Sequence, residues 1–288
     1  MSRRGAVVVL AAVLAAAGGV LAAWLKDSSG GTSAPATTAT STTPVVPATL
    51  RIIFPEGFTR REMAARVAAV RAIAIGKRGV KPRLTASGYR SVTARVLPPI
   101  GFRKDAKGRI EGFLFPATYE FTAKTTAKQL VAEQLAAFRD RFATVNLGFA
   151  RSKNLTAYDV LIIASMIEKE AVVPAERRLI AAVIYNHLHA RMPLGIDATI
   201  RYGLDIPGTK SLTKAALASS SPYNTRRFPG LPPTPIANPG IASIRAAAHP
   251  ARVNFLYFVR KSDKRHHFFT ANENEFLRKV CEYGFGCS

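Results

Sequence analysis

The stretch Thr156 to Arg191, TAYDVLIIASMIEKEAVVPAERRLIAAVIYNHLHAR, reads as two helices in succession and sets the fold class. The first is expected over Thr156 to Val172, opened by an Ala-Tyr-Asp turn and stopped before Pro174. The second runs from Pro174 to Arg191, with proline at its first position, Glu176 in its first turn, and Ile180, Val183, Ile184 and Leu188 on one stripe. Downstream, Ser211 to Leu217 is a short helix, and the proline-rich Ser221 to Gly240 excludes regular structure. Ala242 to Ala248 is again helical. Phe255 to Val259 and His267 to Thr270 read as two strands joined by the charged turn Arg260 to Arg265. Upstream, Leu50 to Phe54 is a strand that turns at Pro55-Glu56-Gly57 into a helix from Arg60 to Ile75. The basic segment 77–107 carries no sustained period and is expected to be irregular. Glu111 to Phe121 (EGFLFPATYEF) is a loop or edge strand, and Thr126 to Phe142 a helix. The class is α+β, in two lobes at 50–155 and 156–280, with a short tail at 281–288.

The residues before these lobes have another character. Ala6 to Leu25 is free of charge for twenty positions, which at about 1.5 Å per residue spans the roughly 30 Å of a bilayer's hydrocarbon. We expect a transmembrane helix at 6–25, with a cleavable signal peptide as its competitor. Arg3 and Arg4 precede it, so residues 1–5 belong in the cytoplasm and the bulk of the chain outside it, as a single-pass protein of the cell membrane. Residues 26–49 are rich in Ser, Thr and Pro and bury too little apolar area to offset the entropy of ordering. They read as a disordered tether.

With 41 Lys and Arg against 18 Asp and Glu, the 288-residue chain carries a formal charge of +23. Such a polycation attracts nucleic acid, anionic lipid or anionic wall polymers alike. The expected placement outside the cytoplasm removes nucleic acid and leaves the wall and the lipid surface. The only two cysteines, Cys281 and Cys287, are too few for a metal cluster. They are expected to pair across a short loop with two glycines, in a compartment that permits oxidation, with two free thiols as the alternative.

Acids are scarce, yet Glu168, Glu170, Glu176 and Asp197 fall close together. At about 100° per residue, Glu170 shares a helical stripe with Ile163, Met166 and Ile167, while Glu168 leaves the helix about 160° away. A carboxyl among those apolar neighbours loses hydration, and its pKa rises toward the range a proton donor needs. A solvated or salt-bridged Glu170 beside Lys169 is the plain alternative. His187 and His189 diverge on their helix and His266 and His267 on their strand, so no metal site is expected. No phosphate loop, nucleophile elbow or dinucleotide motif occurs, and no cofactor is expected.

Ile162 to Leu204, then SPYNTRRFPGLPPTPIANPGIASIRAAAHP from Ser221 to Pro250, YFV at Tyr257 and EGFLFPATYEF at Glu111 together resemble the endolytic murein transglycosylases of the MltG/YceG-like type. The resemblance extends from about Leu50 to Val280. It implies that Glu170, the second glutamate of EKE, is catalytic. It also implies that Asp197 and Thr199, in the counterpart of a TDPT element, contact substrate. Tyr223, Asn224 and Thr225 of YNT and Asn238 of IANPG would hydrogen-bond sugar hydroxyls and N-acetyl groups. Loop-stabilising bonds to backbone are the equal alternative for these loop residues. Where this sequence has Ala198, the family has proline. Members commonly carry a LysM-like module after the membrane segment. Here the tether runs straight into LRIIFPEGF, and the excess of Lys and Arg is expected to substitute for such a module.

The resemblance implies a lyase acting on peptidoglycan. It would cleave the β-1,4 bond between N-acetylmuramic acid and N-acetylglucosamine in nascent glycan strands, forming a 1,6-anhydro end and terminating polymerisation. Glycan strands, membrane lipid and peptidoglycan synthases are the implied partners. A non-catalytic wall-binding or scaffold protein on the same fold is the alternative.

Overall fold

A computed structural model of the protein describes residues 48–285. The expected membrane helix at 6–25, nearly all of the tether and Cys287 lie outside the described residues. Among those described, no helix is long and apolar enough to cross a membrane.

The class is α+β, as expected: eleven described helices accompany two small antiparallel sheets. The described residues begin with β1 (Leu50–Ile53) and the helices α1 (Arg60–Arg78) and α2 (Ala86–Arg95). A short α3 (Arg103–Ala106) leads to β2 (Thr118–Phe121), which returns beside β1 with Leu50 opposite Phe121 and Ile53 opposite Thr118. Leu50 and Ile52 point inward while Arg51 and Ile53 face out, the period-two pattern of a sheet covered on one face. Arg51 pairs across the ladder with Glu120. Thr59 caps α1 in a reciprocal capping box with Glu62. The helix runs to Arg78, three residues beyond the expected Ile75, where Gly79 caps it in the left-handed conformation at φ 62°.

The basic segment 77–107 departs from expectation, because α2 forms inside it. Thr85 caps this helix, and only Tyr89 and Thr93 are buried along it. Two inward positions one turn apart suffice to dock a ten-residue helix on α1, yet they give almost no hydrophobic period.

The second half follows the expected pattern. After α4 (Ala127–Ala143) and a short α5 (Gly148–Ser152) comes α6 (Ala157–Glu170), capped by Thr156 and Asp159. Every residue of α6 from Val160 to Ile167 is buried. It is apolar all round because it is the central helix, packed by α7 (Arg177–Ala190), α8 (Asp197–Gly203) and α10 (Ile241–Ala248). Pro174 opens a single 3-10 turn ahead of α7, and Arg191 closes α7 at φ 54°. After α9 (Lys214–Leu217), the segment 221–240 is irregular but well buried from Thr234 onward. Strands β3 (Tyr257–Arg260) and β4 (His267–Thr270) form the second sheet, and α11 (Glu273–Glu282) packs on both of them.

One apolar core runs from Leu50 and Phe54 through the ring cluster of Phe102, Phe113, Phe138 and Phe142 to α6 and α10. Phe113 meets Phe102 and Phe138 edge-on at 5.1 Å and stacks on Tyr158 of α6 at 6.0 Å. These contacts bring the Glu111 loop to the central helix, and with it a carboxylate to the cleft.

Candidate active site

The last turn of α6 opens into a cleft of ≈ 1610 Å³ bounded by α1, the Glu111 loop, α8 and strand β3. Glu170 is the final residue of α6 and lines this cleft, its side chain 16 % exposed. Ile163, Met166 and Ile167, on its stripe, are fully buried. Desolvation pushes its carboxyl above the ordinary value, and the Asp197 carboxylate adds to the rise, while Arg260, Lys169 and Arg201 oppose it. The negative end of the α6 dipole acts in the same direction as burial. Arg260 Nη2 stands 4.0 Å from Glu170 Oε2.

Arg260 is held in place by a buried polar pair. Its register partner on β4 is His267. Glu176 accepts both the His267 backbone N–H (2.9 Å) and its Nδ1 (2.7 Å). Glu176, one of the four clustered acids, thus anchors the β3–β4 hairpin. Burial lowers the His267 pKa, against the pull of Glu176.

Glu168 leaves α6 on the other side, as the helical geometry requires, but not into solvent. Its side chain is 6 % exposed and accepts the Gly240 N–H at 3.0 Å, with Arg177 Nη2 at 3.9 Å. Glu56 lies in the same cluster; burial first, and then the Glu168 charge, raise its pKa. A Cβ at Gly240 would meet the Glu56 carboxylate, so a larger residue there would displace that side chain.

Of the six residues expected to bind substrate, Asp197 and Tyr223 line the cleft. Asp197 is 46 % exposed and accepts Arg226 Nε at 2.7 Å. Tyr223 bonds through its hydroxyl to Thr234 Oγ1 at 2.7 Å and sets its ring 5.2 Å from that of Tyr202. The other four are buried behind the wall, and the bonds of Asn224, Thr225 and Asn238 are of the loop-stabilising kind. Thr199 donates to the Ile196 carbonyl and meets Thr225 Oγ1 at 2.9 Å, and Thr225 accepts the Ile196 N–H. Asn224 donates to the Leu217 and Ser219 carbonyls. Asn238 uses its full capacity: Oδ1 accepts Gly112 N–H and Leu114 N–H, and Nδ2 donates to the Phe58 carbonyl and to Glu111 Oε1.

Sequence alone assigns no role to Glu111 of EGFLFPATYEF. It is 8 % exposed and lines the same cleft as Glu170. It accepts the Arg60 N–H (2.9 Å), Asn238 Nδ2 (2.7 Å) and the Tyr202 hydroxyl (3.2 Å). Burial outweighs all three bonds and pushes its carboxyl up to about 7. An acid heading the apolar run EGFLF was the available signal. Arg260, Arg201 and Tyr202 were missed as well, because their approach to the cleft depends on long-range packing.

His187 also lines the cleft, held between the Pro193 and Leu256 carbonyls. Among the described residues, no group of His, Cys, Asp and Glu is arranged to hold a metal. A second cavity of ≈ 1270 Å³, on another face of α7 beside Phe149, Tyr185 and Phe255, contains neither Glu111 nor Glu170.

The model of the YceG-like family matches residues 29–282 of this chain. The chain belongs to the YceG-like family. Among similar proteins, the endolytic murein transglycosylase of Bacillus subtilis is 37 % identical over 162 residues, 56 % of this chain and 45 % of the relative. The protein of the same name from Streptococcus pneumoniae is 35 % identical over 182 residues, 62 % of this chain and 33 % of the relative. The chain thus spans less than half the length of these curated relatives. A crystal structure of a yceG-like protein from Listeria monocytogenes superposes with a TM-score of 0.62 at 28 % identity, covering 79 % of this chain and 75 % of the other.

Proposed function

We propose that this YceG-like protein is an endolytic murein transglycosylase: a lyase that cleaves the bond between N-acetylmuramic acid and N-acetylglucosamine inside peptidoglycan strands. The observation that carries the reading is Glu170, a carboxyl whose pKa is raised by burial at the wall of a large cleft, with Arg260 at 4.0 Å. The names of its relatives in Bacillus subtilis and Streptococcus pneumoniae support it.

In this mechanism Glu170 begins as the acid and protonates the glycosidic oxygen as the C–O bond breaks. The resulting carboxylate faces Arg260, which offsets its charge. It then takes the proton from the C6 hydroxyl of the same muramic acid, whose oxygen closes on C1 to give the 1,6-anhydro ring. No water is consumed and the carboxyl returns to its acid form. A single carboxyl serves both steps, so Asp197, already paired with Arg226, is not required as a nucleophile.

The reading extends to a single-pass membrane protein with its cleft outside the cytoplasm, cutting nascent strands near the membrane and so limiting their length. Anionic lipid and the strand-making synthases are the neighbours this placement implies. A cysteine introduced into the tether should react with a membrane-impermeant reagent in intact cells, and protection there contradicts the topology.

The activity itself is tested by incubating the full chain with purified, uncrosslinked glycan strands and determining product masses. Anhydro ends, one water lighter than reducing ends, are the expected result. Reducing ends would make it a hydrolase, and intact strands a binding protein.

A further inference from the structure

Tyr202 and Tyr223 line the cleft and are anchored by their hydroxyls. Tyr202 donates to Glu111 at 3.2 Å, Tyr223 bonds Thr234 at 2.7 Å, and the rings stand 5.2 Å apart at 59°. Both are only partly buried. An aromatic ring tied down at its polar end pays its ordering entropy before a ligand arrives and leaves an apolar face for binding. The C–H faces of a pyranose match such a surface, and its hydroxyls match the phenolic oxygens at the edge.

Glu111 is what fixes this wall. Through Arg60 it holds the first turn of α1, through Asn238 the proline-rich loop, and through Tyr202 the helix α8, which begins at Asp197. Three segments far apart in sequence thus converge on one carboxyl. We propose that Tyr202 and Tyr223 form a subsite for one pyranose ring of a glycan strand, with Glu111 as its positioning residue. The proposal rests on the glycan-cleaving reading above and assigns residues that the catalytic step does not use.

The chemistry of the hydrogen bond makes the subsite sensitive to a proton. While Glu111 is a carboxylate, the Tyr202 hydrogen is committed to it. When Oε2 carries a proton, Glu111 becomes the donor, and Tyr202 can accept that bond and turn its own hydrogen to a sugar oxygen. The other groups facing Glu111 are Arg60 from α1, Tyr89 from α2 and the neutral amide of Asn238. Neither tyrosine titrates near neutrality, since burial raises both. The carboxyl, near 7, is the group that changes.

The test uses the full chain carrying Glu170→Gln, so that nothing is cleaved and the Glu170 titration is absent. Binding of purified linear glycan oligomers is measured from pH 5.5 to 8.5. In this parent, affinity should fall as pH rises through about 7. Adding Tyr202→Phe, which keeps the ring, should weaken binding about fivefold at the acid end, the worth of one hydrogen bond, and flatten the profile. Adding Glu111→Gln should flatten it too, with thermal melting used to establish that the variant folds. If it does not fold, Tyr202→Phe decides alone. No binding by the parent, or Tyr202→Phe binding with the parent's affinity and pH profile, overturns the proposal. If the subsite behaves as described while the chain with Glu170 intact releases no anhydro ends, the lyase reading fails and the subsite stands.

Discussion

Arg260 on β3 and Glu170 at the end of α6 face each other across the cleft, Nη2 to Oε2, at 4.0 Å. The distance is too long for a tight bond and short enough for the guanidinium to lower the cost of a carboxylate. That balance suits a group that must be an acid before bond cleavage and a base after it. The Glu176–His267 pair keeps it by pinning the strand beside Arg260.

Replacing Arg260 with methionine removes the largest influence that lowers the Glu170 pKa. The carboxyl then stays protonated to higher pH, so the alkaline limb of the rate profile should move upward. The Arg260 side chain is 37 % exposed, so the loss in kcat should be no more than about fivefold, the upper range for a solvent-screened pair. A limb that moves downward on rate measurements across pH contradicts the assignment.

What the sequence made legible follows from local physics. The Ala-Tyr-Asp turn, the stop before Pro174 and the stripe of Ile163, Met166 and Ile167 act within a few residues, and they placed α6, α7 and the orientation of Glu170. Tyr89 and Thr93 gave α2 too weak a period to be seen. Glu111 was hidden because a lone acid in an apolar run has no meaning until Arg60, Asn238 and Tyr202 arrive from other segments. Thr199, Asn224, Thr225 and Asn238 were recognisable as hydrogen-bonding residues, but residue type does not say whether the partner is backbone or sugar. Folding turned those four inward.

Asn238→Ala should be costly to stability rather than to sugar contact. It leaves the buried Gly112 and Leu114 N–H groups without their acceptor, while the Phe58 carbonyl keeps the backbone N–H of residue 238. At about 1–3 kcal/mol for each unsatisfied group, less what relaxation and water recover, the expected loss is on the order of 3–5 kcal/mol. Chemical denaturation measures it. A loss under about 1 kcal/mol accompanied by a large rise in KM would restore Asn238 to the substrate.

Stability should fall with pH because of Glu111. Its folded value is about 7, above the roughly 4.3 of an unfolded glutamate, so between those values the folded chain holds a proton that the unfolded chain has released. The contribution is present in full below the unfolded value and is lost as pH rises to about 7. At about 1.4 kcal/mol per pH unit, the change is on the order of 4 kcal/mol. Glu111→Gln should remove that slope in denaturation series taken from pH 4.5 to 8, and an unchanged slope assigns it elsewhere.

The central claim is that one carboxyl at the end of α6 does the chemistry, and it is tested most directly by comparing two neighbouring substitutions on the same substrate. Glutamine at 168 still accepts the Gly240 N–H, so that variant should keep most of its cleavage. Glutamine at 170 keeps size and polarity but cannot give a proton and take one back. Glu170→Gln should lower the rate of anhydro-end release, read by mass, toward the upper end of the roughly 10²–10⁴-fold of acid–base catalysis, while still binding glycan. Anhydro products formed by Glu170→Gln at near the parent rate, or a loss confined to Glu168→Gln, would contradict the account.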